Sequence, residues 1–212
     1  AIDFTLISEE LSKAKRADEA ISVLQEGIKE MPDYANFNKQ LAMTYVEANK
    51  FGAASDAFEG FLAKSEKPGY NDFIQQAIFS FYGGVENKQD NPAKADEYFK
   101  KTEDYVAKAQ AELPTNYKPK KILGDIAMQR AANDEEAKTA AFPMYSEAAA
   151  LLEKASDTSR YGSDAKTIYN YLGNYYLDHK DVAKAKECFN KYLQYDPNNE
   201  EYRKFVENLK AE

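Results

Sequence analysis

Apolar residues along the chain recur at three- and four-residue spacing and do not alternate, as in Phe4, Ile7 and Leu11 followed by Ile21, Leu24 and Ile28. That period marks amphipathic α-helices, and the polar stretch between the two runs makes the first segment a helix pair. The layout returns at Leu41, Tyr45, Phe58 and Leu62, and again at Tyr169, Leu172, Tyr176, Phe189 and Leu193. Small residues keep time with it. Ser8, Ala42, Ala77, Gly124 and Gly173 recur in the first helices at steps of 34, 35, 47 and 49 residues, and Ala20, Ala54, Ala95, Ala148 and Ala185 recur in the second. Two helices approach closely only where the side chains between them are small, so each series marks a helix crossing. The distance from first series to second is 12 residues in pairs one, two and five but 18 and 24 in pairs three and four. The excess falls near residues 83–91 and 131–142, as longer loops or as added helical turns.

The breakers agree with this phase. Pro32, Pro68, Pro114 and Pro197 follow second helices, where proline cannot extend a helix. Asn91 before Pro92 reads as an N-cap with proline at the first helical position, Asp181 as the cap of the last second helix, and Pro143 as another helix start. Five tandem units result, at about 1–34, 35–69, 70–116, 117–165 and 166–199, in one domain spanning 1–212. Residues 199–212 carry Tyr202, Phe205, Val206 and Leu209 on one face and charges on the other, as a helix that caps an array requires. Nothing comparable precedes Phe4, so the first stacking face is expected to be open, available for self-association or for further repeats upstream.

Composition narrows the function. Of 212 residues 43% are hydrophobic and 30% charged, enough for a sizeable core under a polar surface. Twenty-eight Lys and Arg against 36 Asp and Glu give a net charge of −8, which disfavours nucleic acid as a partner. The Lys118, Lys120 and Lys121 cluster is interrupted by Pro119 and reads as a solvated helix start. A single Cys rules out an intramolecular disulfide and a thiolate metal cluster. No apolar run is long enough to span a membrane. The sequence starts at Ala1 without an initiator Met, which favours an exported (periplasmic or cell-envelope) or excised segment over a cytoplasmic one.

Candidate chemistry is sparse. His179 falls at the turn of the last pair and Cys188 beside Phe189 on its packed helix, which separates the two groups that a nucleophilic pair would need together. The acidic runs Glu9-Glu10, Asp134-Glu135-Glu136 and Glu200-Glu201 suit solvated faces and helix starts. Gly83-Gly84 lacks the lysine and hydroxyl residue of a phosphate loop. The sequence therefore calls for no catalytic residue, no metal and no cofactor.

The repeating residues resemble the tetratricopeptide-repeat family, most closely in the last unit through Tyr169, Leu172, Gly173, Tyr176, Ala185, Phe189 and Asp196-Pro197. The second unit departs from the pattern at Asn38, the third at Gln76 where leucine is usual, and the fourth at Lys120. The resemblance implies an all-α, right-handed α-solenoid of tandem antiparallel helix pairs that binds a protein or peptide in a concave groove lined by first helices. Carried over position by position, the groove takes Lys39 and Met43 from unit two, Tyr82 from unit three, Lys121 and Asp125 from unit four, and Asn170 and Asn174 from unit five. Ile74 and Ile78 stand at groove positions too, although core burial explains them equally well. The lysine and asparagine clamp that some members close on an acidic peptide tail is absent from the first three units, where Thr5, Glu9 and Met43 take its places. A module that only extends or self-associates a larger repeat protein is the alternative.

Overall fold

The computed structural model describes residues 2–155 and 159–210, and among them the chain is built from eleven α-helices and no strand. Contacts divide it into two compact units, 1–112 and 113–212. The first holds α1 (Ile2–Lys13), α2 (Ala17–Glu30), α3 (Ala35–Glu47), α4 (Phe51–Lys64), α5 (Tyr70–Asn87) and α6 (Pro92–Glu112). The second holds α7 (Lys118–Arg130), α8 (Asp134–Glu153), α9 (Gly162–Asp178), α10 (Val182–Tyr195) and α11 (Glu200–Asn208), with a 3-10 turn at Ser159–Tyr161 before α9. Consecutive helices pair as antiparallel hairpins: α1 with α2, α3 with α4, α5 with α6, α7 with α8, and α9 with α10.

Both small-residue series are buried: Ala20, Ala42, Ala54, Ala77, Ala148 and Ala185 have no exposed surface. At Gly173 the crossing is so close that a Cβ would stand 2.2 Å from Cε1 of Phe189, which is itself fully buried. Tyr145 fills the same role against Gly124, 3.0 Å from a notional Cβ. In the third pair the tightest approach moves two turns along, to Gly84, where a notional Cβ would stand 2.5 Å from Cε1 of Phe99. Gly84 sits inside α5, so the added residues of this pair are helical turns.

The three regular pairs share one turn. Lys15, Asn49 and Lys180 take left-handed backbone with φ of 59°, 56° and 60°. Around each, the following N–H reaches back to the first helix, Arg16 to Leu11, Lys50 to Tyr45 and Asp181 to Tyr176, all at 2.9 Å. This is the Schellman closure that satisfies the last carbonyls of a helix. Asn91 and Asp181 cap α6 and α10 as expected, accepting from the backbone N–H of Lys94 and Lys184 at 3.1 Å. Pro143 corrects the sequence reading: it does not start a helix but lies inside α8, which Asn133 already caps by accepting from Glu136 N–H. Ala137 and Ala141 are buried before it, and packing of that apolar face outweighs the hydrogen bond that proline removes. Near this break the hydroxyl of Tyr171 donates to the Lys138 carbonyl.

In the first unit, Phe37 and Leu24 centre a cluster with Ile21 and Leu41, and Phe4 meets Phe37 edge-on at 5.9 Å. Gln76 is wholly buried between α4 and α5, its Nε2 donating to the Ser55 carbonyl at 3.1 Å, to Ser55 Oγ at 3.0 Å and to Ser80 Oγ at 3.3 Å. The two hydroxyls lie 2.9 Å apart. In the second unit Leu152, Ile168 and Leu172 lie in the core, and α11 covers Ala185 and Phe189 with Val206, Tyr202 and Leu209. A half-buried ionic network ties α7 to α9: Lys118 and the Tyr117 hydroxyl both donate to Asp164, at 2.6 and 2.7 Å. Burial pushes the Asp164 carboxyl up, but Lys118, Tyr117 and Lys121 outweigh it and hold the group below its ordinary value.

Three outcomes follow for stability. Gly173→Ala is expected to cost about 1–3 kcal/mol by overpacking, more than the roughly 1 kcal/mol alanine returns in helix propensity. Lys180→Gly should instead stabilise by on the order of 1 kcal/mol, since glycine relieves the left-handed backbone; denaturant melts of both variants measure these signs. A depressed carboxylate stabilises above its unfolded pKa near 4 and loses that contribution as pH falls through its lower folded value. Unfolding free energy should therefore fall below about pH 4, and Asp164→Asn should flatten that fall in urea melts across the acid range.

Candidate functional site

Two open depressions lie on the first-helix surfaces, one in each unit. The first, of about 710 Å³, runs between α1 and α3. Glu9, Ser12, Asn36, Lys39, Met43 and Glu47 line it, and Lys39 and Met43 among them are positions carried over from the sequence resemblance. Thr5 Oγ1 donates to Gln40 Oε1 at 3.3 Å and ties the two helices beneath it. Lys39 sits 4.9 Å from the centre of the Phe61 ring, and Met43 is 42% exposed with its sulfur 3.5 Å from Gln75 Nε2.

The second depression, also about 710 Å³, is formed by α9 with walls from α7, α8 and α10. Asn170 and Asn174 stand one turn apart on α9 at its centre. The Tyr202 hydroxyl donates to Asn170 Oδ1 at 2.9 Å, and Asn174 Nδ2 donates to the Asn170 carbonyl at 2.8 Å. Much of the remaining lining is aromatic, from Tyr145, Tyr171, Tyr175 and Tyr192. Lys138 and Tyr145 come from α8, a second helix, whose early start the 24-residue gap of pair four signals. Reading Pro143 as a helix start hid Lys138, and confining the groove to first helices hid Tyr145.

The other positions carried over from the resemblance stand apart from these two linings. Tyr82 is 45% exposed on α5, packed against Phe51 at 5.1 Å. Lys121 and Asp125 pair with each other at 2.7 Å, with side chains only 18% and 16% exposed. Asp125 also accepts from the Tyr145 hydroxyl at 2.6 Å, and Lys121 lies 3.9 Å from Asp164. Their charges are thus neutralised within the fold, and reversing Lys121 would test stability. Ile74 is buried, with 9% exposed, and belongs to the core.

Burial pushes the Cys188 thiol up to about 11, which leaves it protonated and unreactive at neutral pH. His179 caps α9, its ring stacked on Tyr175 at 4.1 Å and its Nδ1 2.8 Å from the Tyr175 carbonyl. Among the described residues no three His, Cys, Asp or Glu side chains gather as metal ligands, and no helix is long and apolar enough to cross a membrane.

The family model of the tetratricopeptide repeat matches residues 167–199, which take in most of α9, all of α10 and the turns that follow them. No curated protein sequence matches the chain. Among solved structures, TTC0263, a thermophilic tetratricopeptide-repeat protein of Thermus thermophilus, is similar at 15% identity, with 97% of this chain and 96% of that chain covered and a TM-score of 0.54. YrrB, described as a tetratricopeptide-repeat protein with an unusual peptide-binding site, is similar at 16% identity over 98% and 92% of the two chains, with a TM-score of 0.58. MamA is similar at 16% identity over 92% and 98%, with a TM-score of 0.59. Residues 167–199 are therefore a tetratricopeptide repeat, and the chain as a whole has the all-α, tandem helix-pair solenoid fold of tetratricopeptide-repeat proteins.

Proposed function

We propose that the chain binds protein or peptide partners through the first-helix surfaces of its helix pairs. The observation that carries this is a division of labour along α3 and α9. Phe37 and Leu41, or Ile168 and Leu172, are buried in the core, while Lys39 and Met43, or Asn170 and Asn174, line open depressions. A mixed amide, charged and apolar lining can meet both the backbone and the side chains of a peptide. The peptide-binding site named for YrrB, a protein of the same fold, is consistent with this use.

Affinity capture from the native host, with the wild-type chain and a Lys39→Glu, Met43→Glu variant, tests the reading. Lys39 gives up one exposed cation–π contact, worth about 0.5–1 kcal/mol, so the variant should stay folded in thermal melts. Recovery of partners engaging the α1–α3 depression should fall at least about tenfold, a loss of roughly 1.4 kcal/mol. Unchanged recovery of every partner by this variant, and by Asn170→Asp in the other depression, would overturn the groove reading. It would favour self-association through α1, where Leu6 and Ile7 are 54% and 50% exposed.

A further inference from the structure

The two depressions differ in kind, and the difference identifies a ligand class for the second. Each of its three charged lining residues is already ion-paired: Lys138 with Asp178, and Lys166 with Asp196 at 3.4 Å. The lining thus has no spare charge with which to hold an acidic or a basic tail. The tyrosines are committed as well. Tyr145 donates to Asp125, Tyr171 to the Lys138 carbonyl, and Tyr192 to Asp196 at 3.3 Å, so these rings are fixed and their hydroxyl protons used.

Ring orientation narrows the choice further. Tyr175 stacks on Phe142 at 4.0 Å and on His179 at 4.1 Å, at interplanar angles of 21° and 26°. Two rings cannot share one face at that distance, so both faces of Tyr175 are covered and its edge meets the depression. Tyr192 has one face covered by Tyr202, at 4.1 Å. Aromatic faces attract cations, whereas edges are electropositive and suit carbonyl oxygens and apolar groups. Asn170 adds a donor of the same preference: its Oδ1 accepts from Tyr202, and its Nδ2 has no partner among the described residues.

We infer that the α9 depression binds an uncharged, extended peptide segment of the polyproline II type, recognised through its backbone carbonyls. The inference rests on the groove reading above and adds the ligand class. A bound helix would present carbonyls already satisfied within itself, while a polyproline II segment leaves all of its carbonyls free. The floor is pre-organised by its own stacking and hydrogen bonds, which limits the entropy lost on binding.

Isothermal titration of the full chain against short synthetic peptides decides this. The set comprises an uncharged proline-rich peptide, an uncharged alanine-glutamine helix former, an arginine-rich peptide and an aspartate-rich peptide. The proline-rich peptide should bind at least about tenfold tighter than the others. Asn170→Asp keeps an oxygen for Tyr202 but replaces the donor with a carboxylate that repels carbonyls, and should weaken that binding at least about tenfold with an unchanged melting temperature. Binding that Asn170→Asp leaves unaltered, or no binding by any of the four, would overturn the inference. Preference for a helical or charged peptide, still lost in Asn170→Asp, would overturn the ligand class while leaving the groove reading in place.

Discussion

Each helix pair depends on one steric condition: a small residue on the first helix must face a bulky side chain on the second closely enough for the two backbones to share a core one layer thick. At Gly173 no room remains for even a Cβ beside Phe189, and Gly84 against Phe99 and Gly124 against Tyr145 repeat the arrangement. The surrounding structure follows from that approach. With one face of each helix spent on its partner and its neighbours, only a narrow stripe of a first helix remains for solvent, and that stripe carries Lys39 and Met43 on α3, Asn170 and Asn174 on α9. Close crossing thus makes the surface discontinuous, as two depressions whose walls are set by helix length.

Helix length is where sequence and structure part. The small-residue series, the prolines and the caps at Asn91 and Asp181 were legible because each is a local signal with a fixed offset from the helix it serves. Pro143 was misleading because its usual meaning is also local, whereas its tolerance inside α8 depends on Ala137 and Ala141 finding a tertiary partner. The shift of the third crossing to Gly84 could have been read from the glycine pair itself, fifteen residues before Phe99, close to the sixteen that separate Gly173 from Phe189. The candidate positions divide on the same ground. Lys39, Met43, Asn170 and Asn174 line the depressions, but the lysine and aspartate of α7 pair with each other, and a helical register alone says nothing of which charges neutralise one another across helices.

The extra turns of α8 have a chemical effect as well as a geometric one. They bring Lys138 to Asp178 and Phe142 onto Tyr175, so the insertion removes a free charge and a free aromatic face from the α9 surface at once. The α1–α3 depression keeps Glu9 and Glu47 at its rim and an accessible methionine. One fold therefore carries two first-helix surfaces of different lining, and the α9 surface owes Lys138 and Tyr145 to a second helix.

An array of look-alike hairpins faces a problem of addressing, since any first helix could dock on any second helix with a similar apolar face. The buried Gln76 supplies an address. Its amide is met by Ser55 on α4, and the residues that follow the small position in the other second helices are Ile21, Asp96, Ala149 and Lys186. None of those offers a hydroxyl. An α5 docked on another second helix would lose the Ser55 hydroxyl from the buried Nε2, a loss on the order of 1 kcal/mol for one hydrogen bond, while Ser80 on α5 itself and an unpartnered Oε1 stay the same in either setting. The polar trio thus favours α4 as the neighbour of α5, where hydrophobic packing alone would accept others.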